Sequence, residues 1–448
     1  MANTYLQRST TTRTNNQAYT FSCWFKRGDL VNGRFCINYL DGNNRGYISI
    51  QADNKMFCYD KVGGTEIDSR TSEFTLTDTN GWYHYVQSVN NLAGGSGGSL
   101  SDRFKTYLNG VDVSGNWTMG TSMAYNRNLG MQVVSGTNGF KIGSQEAGTD
   151  NWNGSMSHVH FVDGLQLPAS TFGEYDANGV WKIKTSPTVS EYGNNGFFVL
   201  KDGNSVTDQS GKGNNFTVGG GTLTNTEDSP SNVFATWNPL EQANNNFSYA
   251  NGNTYSNIDY AAGYNYVTST LGAATGKYYC EMKANTSSGS TDKWVFGIAT
   301  HPSLNLDADY LGKDIDAWGY KGVDGELYNN GSNSSWGGSY GAGDIVGVAM
   351  DLDNNRLFFS VNGVWQNSAD PTSSTGAISI VAPSTGFYHF AWGDLDAGAT
   401  HSMYANFGNG YFGTTAVASA GTNASGNGIF EYDVPTGYTA LSTKGLNL

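Results

Sequence analysis

Cleaving a glycosidic bond takes two carboxylates, one ionised and one carrying a proton. Glu66-Ile67-Asp68 and Glu431-Tyr432-Asp433 each bring two acids into step on an extended segment, but neither has a third beside it. Glu281 and Glu326 stand alone. His158 and His160 lie two apart in an apparent strand and so point the same way. A zinc pair would look like this, yet no third ligand lies nearby, and packing within or on a strand is the expectation. His389 and His401 are isolated in the same manner. Serines and aspartates are plentiful, but nothing in their spacing gathers a Ser-His-Asp set. The residues give no enzymatic constellation.

Binding chemistry is better represented. Asp307, Asp309, Asp314 and Asp316 fall in a loop-like stretch. Such oxygens suit calcium, although EF-hand spacing is absent and turn chemistry is the favoured reading. Asp351-Leu352-Asp353-Asn354 reads the same way. No other cofactor is implied. Trp318, Tyr320, Tyr328, Trp336 and Tyr340 form an aromatic-rich run with Asn329, Asn330 and Asn333. Sugars bind where aromatic faces meet amide hydrogen-bonding groups. Trp318 and Tyr320 alternate as in a core strand. Trp336 and Tyr340, flanked by Gly and Ser, are the expected exposed pair. Together with Tyr328 and Asn333 they make the candidate glycan-binding set.

The elements that must position these residues are strands. Sixty glycines against eight prolines, with 13% aromatics, point to many short strands and tight turns, an all-β composition. The formal net charge of −14 carries no basic stripe, which argues against nucleic acid as a partner. No apolar run has transmembrane length, so membrane insertion is not expected. The opening MANTYLQRSTTT lacks a hydrophobic segment and predicts no secretory signal. Cys23, Cys36, Cys58 and Cys280 show no paired spacing and read as buried free thiols of a chain made in a reducing cytosol.

The plainest local pattern is Gly343–Gln366, GDIVGVAMDLDNNRLFFSVNGVWQ. Val346, Val348, Met350 and Leu352 alternate along one strand, and Leu357, Phe359 and Val361 along the next. Asn362-Gly363 then predicts a two-residue hairpin, since both residues accept positive φ. Phe104–Val113, FKTYLNGVDV, repeats the device. GGSGGS at 94–99 lacks the Lys-Ser/Thr of a phosphate loop and reads as a flexible tip.

FSCWFKRG, GWYHYVQSV, FKTYLNGV, FKIGS and WNGSMSHVHFVDGLQLP, in this order, resemble a laminin-G/concanavalin-A-like domain. GKYYCEMK, WVFGIAT, WGYKGVDGELYNNG, the Gly343–Gln366 stretch, FYHFAW and ANFGN resemble a SPRY domain. The resemblances imply two antiparallel jelly-roll β-sandwiches in tandem: 1–184, a turn-rich connecting segment 185–231, and 232–448. The domain order, with SGKGNNF at 210–216 and the VPTGYTALSTKGLNL end, resembles virion proteins of bacteriophages, notably tail- or head-fibre proteins of marine phages. That resemblance implies a non-enzymatic virion component that attaches to host surface glycans. Other tail or capsid proteins would be its neighbours, and it would be a homo-oligomer such as a trimer. Two rival readings are a purely structural virion part and a polysaccharide depolymerase. The missing paired carboxylates weigh against the second.

Overall fold

The computed structural model describes residues 4–28, 30–95, 98–136, 139–145, 150–201, 205–240, 247–259, 264–288, 293–302, 309–395 and 399–447. The chain divides into two compact units, Met1–Asn225 and Thr226–Leu448. Both are built almost wholly from antiparallel strands, as the composition predicts.

In the first unit an eight-stranded sheet runs, in spatial order, Trp117–Thr121, Thr65–Thr75, Lys55–Val62, Asn44–Ile50, Gly33–Asp41, Gly139–Ile142, Tyr5–Arg8 and Thr217–Gly220. A six-stranded sheet runs Phe197–Val199, Gly154–Asp163, Ala18–Arg27, Tyr83–Asn90, Phe104–Leu108 and Val111–Asp112. The core between them takes alternate residues from each: Phe21, Cys23 and Phe25 from one sheet, Ile48, Ile50, Met56 and Cys58 from the other. Burying side chains of this size contributes about 1.5–3 kcal/mol each.

Strand Ala18–Arg27 is buried at all ten positions, because its second face is covered too. Phe172, Tyr192 and Phe198 pack there against Val86 and Val162, with Trp181 alongside. This corrects the reading of 185–231 as a connecting segment. Phe197–Val199 and Thr217–Gly220 are strands of the first unit's own sheets. The physical reason is that the six-stranded sheet has two apolar faces, and only one can meet the other sheet.

In the second unit a sheet runs Phe247–Ala250, Tyr255–Asp259, Thr400–Asn406, Lys277–Ser287, Ile345–Asp351, Arg356–Val361 and Val364–Trp365. Two short strands join it, Ile378–Ser379 beside Arg356–Val361 and Thr439–Ala440 parallel to Lys277–Ser287. The facing sheet runs Tyr266–Thr268, His389–Asp394, Trp294–Ala299, Ala317–Lys321, Glu326–Asn329 and Ser332–Ser335. The predicted hairpins form in both units. Asn109 and Gly110 have φ of 47° and 81°, and Asn362 and Gly363 have 49° and 79°. All four cysteines are buried free thiols. No helix among the described residues is long and apolar enough to cross a membrane.

Candidate functional site

The aromatic set predicted from the sequence is divided by the structure. Tyr328 and Asn333 are direct cross-strand partners on neighbouring strands. The Lys321 ammonium donates to the Tyr328 hydroxyl and to Glu326 Oε2, both at 3.0 Å, and Tyr328 in turn donates to Glu326 at 2.9 Å. Lys321 holds the Glu326 carboxyl below its usual range. Tyr310 meets Tyr328 edge to face at 5.9 Å. Trp336 and Tyr340 belong elsewhere. Tyr340 was expected at the surface, but it is 3% exposed, stacks on Phe296 and donates to the carbonyls of Tyr320 and Trp294. Trp336 is half-buried, edge-on to Tyr320 and Phe359. Trp318 and Tyr320 are core residues, as predicted.

The acidic residues 309–316 do not converge. Asp309 is buried and faces Lys313 at 3.7 Å, and Asp314 faces His301 at 3.6 Å. Asp316 accepts from Thr300 Oγ1 and from the Ser384 N–H. Asp307 lies outside the described residues. Among the described residues no three His, Cys, Asp or Glu side chains are grouped to hold a metal. A register shift between Ser157 and His160 breaks the alternation that sets His158 and His160 in step. His160 stacks on Phe198 at 3.9 Å and shares a hydrogen bond with the Tyr192 hydroxyl. Burial pushes its pKa well below the ordinary histidine value.

Two groupings invisible in the sequence do appear. Asp60 and Asp68 are cross-strand partners. Both are buried. Asp68 holds Arg70 through two contacts of 2.8 and 2.7 Å, and Asp60 accepts the Met131 N–H, so neither flanks a cleft. The second grouping is a relay: Ser287 Oγ lies 3.2 Å from His401 Nε2, and His401 Nδ1 lies 3.2 Å from Asp394 Oδ2. His401 is wholly buried, with Trp294 edge-on at 5.0 Å. The relay ties the two sheets together: His401 and Asp394 are buried, and Ser287 is partly exposed.

A further candidate site lies on the first unit, at a place for which the sequence raised no expectation. Ile48, Ile50, Met56 and Cys58 turn into the core, so the residues between them turn to the outer face of the eight-stranded sheet. Pairing of Tyr47 with Tyr59 and of Ser49 with Phe57 brings three half-buried rings together there. Tyr47 and Tyr59 stack at 5.1 Å, and Phe57 lies 5.9 Å from Tyr47. The Arg34 guanidinium stands 3.9 Å over the Tyr47 ring. Beside it opens a cavity of about 220 Å³ lined by Asn32, Arg34, Tyr47, Gln51, Phe57 and Asp150, among others. Asp150 is 3.5 Å from Arg34. Rings, amides and one ion pair round a shallow hollow are groups that hold a polar ligand with apolar faces. The alternation in RGYISIQ and KMFCYDK carried the signal, but only the strand register places Tyr47 beside Tyr59.

Both units are antiparallel β-sandwiches of the concanavalin-A-like class. Residues 1–168 match the concanavalin A-like lectin/glucanases superfamily, and residues 277–376 match the SPRY domain, so both domains are present in this chain. Ran-binding protein 9 of Danio rerio is 31% identical over 97 residues, which cover 21% of this chain and 16% of that protein. Dual specificity protein kinase splA of Dictyostelium discoideum is 37% identical over 81 residues, 17% of this chain and 3% of the kinase. The matched segments are thus a small part of these relatives. Among solved structures, the SPRY domain of human HERC1 aligns with a TM-score of 0.30 at 14% identity, covering 38% of this chain and 96% of that one.

Proposed function

We propose that this chain is a non-enzymatic surface protein of a bacteriophage particle, a tail- or head-fibre or decoration component that attaches to glycans of the host surface. The order of its two domains and its terminal motifs support the particle assignment. The cavity beside Arg34, Tyr47 and Phe57 carries the binding half of the reading. It offers apolar ring surface for sugar CH groups and amide and carboxylate groups for hydroxyls. The predicted Tyr328–Asn333 pair on the second unit adds a smaller polar surface of the same kind. A hollow this shallow binds weakly alone. Many copies on one particle, as homo-oligomers such as trimers, would make attachment effective through avidity.

Host-cell binding by the purified chain tests the reading. Saturable binding that soluble host polysaccharide competes away, and that Phe57→Ala weakens, is the expected result. Absence of host binding, together with a stable complex with a tail, portal or capsid protein, would replace attachment with a purely structural role. Reducing ends released from host polysaccharide would replace it with a depolymerase.

A further inference from the structure

We infer that the hollow on the first unit takes an acidic saccharide, a sugar chain bearing carboxylate or sulfate groups, with Arg34 as its principal anion ligand. The inference rests on the glycan reading above. It starts from what the ring cluster leaves open. A neutral sugar stacks on a free aromatic face. Tyr47 has none to offer: Arg34, from the strand on one side, lies over its ring at 3.9 Å, and Tyr59, from the strand on the other side, stacks on it at 5.1 Å with 22° between the planes. What reaches the hollow is the guanidinium, the ring edges and Phe57.

Arg34 is placed to receive an anion. Its side chain is 16% exposed at the cavity wall. Its present contacts are long: Nε and Nη2 to Gln145 Oε1 at 3.4 and 3.1 Å, and Nη2 to Asp150 Oδ2 at 3.5 Å. Nη1 has no hydrogen-bond partner among the described residues. Charge-assisted contacts to a carboxylate run about 2.7–2.9 Å and are often two at a time, so the fork is only loosely engaged. Asp150 is 38% exposed, and an exposed pair of that length holds the guanidinium weakly. An incoming carboxylate or sulfate can take its place.

The neighbouring register adds to the charge. Arg45 and Lys61 are direct cross-strand partners on this sheet. Like charges in such positions destabilise a sheet. Glu66 on the next strand stands opposite Lys61 and offsets its charge, its carboxylate also accepting from Ser69 at 2.7 Å and from Thr121. Around the aromatic cluster three cations, Arg34, Arg45 and Lys61, face two carboxylates, Asp150 and Glu66, and in a chain of net charge −14 this cationic excess is one that an anionic ligand would complement.

The test uses the full chain and four probes in affinity electrophoresis or calorimetry: a polyuronate, the same polymer with its carboxylates reduced to alcohols, a sulfated galactan and a neutral glucan. We expect the polyuronate or the sulfated polymer to bind about tenfold more tightly than the carboxyl-reduced chain. Whether the carboxylate or the sulfate arm prevails identifies the anion. We expect binding to weaken as salt rises, Arg34→Gln to lose most of the preference and Arg34→Lys to keep part of it. The comparison of native and reduced polymer needs no variant, so it stands even if a substitution harms folding. Equal binding of the polyuronate, its reduced form and the sulfated galactan would overturn the anionic assignment and leave glycan binding standing. No binding to any of the four, nor to host polysaccharide, would overturn both.

Discussion

Tyr432 lies across Gly363 so closely that a Cβ at this glycine would come within 2.6 Å of the ring. Trp181 covers Gly110 in the first unit in the same way. The two Asn-Gly hairpins, alike in sequence, are thus each capped by an aromatic from a distant segment. Each glycine is needed twice, for its positive φ and for the space above it.

Gly363→Ala should therefore cost more than a turn substitution usually does. The backbone strain alone is worth about 1 kcal/mol. Displacing Tyr432 should bring the loss to at least about 2 kcal/mol in urea unfolding of the chain. Gly110→Ala should behave alike, and it should also disturb the Trp181 Nε1–H donation to His84 Nδ1 at 3.0 Å. A loss near zero at either site would show that the aromatic cap is not packed in solution.

The segment carrying Tyr432 is fastened by Glu281, whose carboxylate accepts the backbone N–H groups of Glu431 and Tyr432 at 2.8 Å each. Burial pushes the Glu281 pKa from the ordinary glutamate value up to about 7, against the hydrogen bonds that would lower it. The folded state then holds this proton more tightly than the unfolded one. The stabilisation from that proton is complete below about pH 4.5 and is lost as the pH rises through about 7. Thermal melts of the wild type and of Glu281→Gln across pH 4.5–8 should differ in slope, with the variant losing the fall contributed by this group. Parallel pH profiles would remove Glu281 as its source.

Tyr340 is a core residue, so Tyr340→Ala should destabilise by about 3–5 kcal/mol, the range for losing a buried aromatic. Tyr340→Phe should cost about 1 kcal/mol through the lost hydroxyl donation to the Tyr320 carbonyl at 2.7 Å and the Trp294 carbonyl at 3.1 Å. Trp336→Ala should cost less than Tyr340→Ala, since Trp336 is only half-buried. The reverse order in chemical denaturation would return Tyr340 to the surface.

The Ser287–His401–Asp394 relay should not act as a nucleophile. A fluorophosphonate probe should leave the folded chain unlabelled, and His401→Asn should lower stability. Stoichiometric labelling lost in Ser287→Ala would contradict the non-enzymatic reading directly.

The thiols make a simple check on both cores. Burial pushes the Cys58 thiol up to about 12 and raises Cys23, Cys36 and Cys280 as well. A thiolate is the reactive form. Ellman's reagent should therefore find none of the four in the native chain and all four in denaturant. Rapid native reaction at any of them would mean that its sheet opens.

The sequence by itself determined the strands and the hairpins, because these depend on local terms, and the resemblance of its motifs to known families indicated the two domain types. Alternation at period two writes Val346, Val348 and Met350 to one face, and Asn362-Gly363 supplies the φ that its turn requires. What only the tertiary structure decided was which residues share a place. Tyr340 looked exposed among glycines and is a core ring. Asp60 met Asp68, and Ser287 met His401 and Asp394, through pairings no spacing reveals. Arg34, Tyr47, Phe57 and Tyr59 lie on three strands, and their meeting depends on strand order and register. A one-residue slip would send each to the opposite face. Register is fixed by the burial of whole sheets rather than by any one strand's composition, and for that reason the candidate site could not be read from the chain alone.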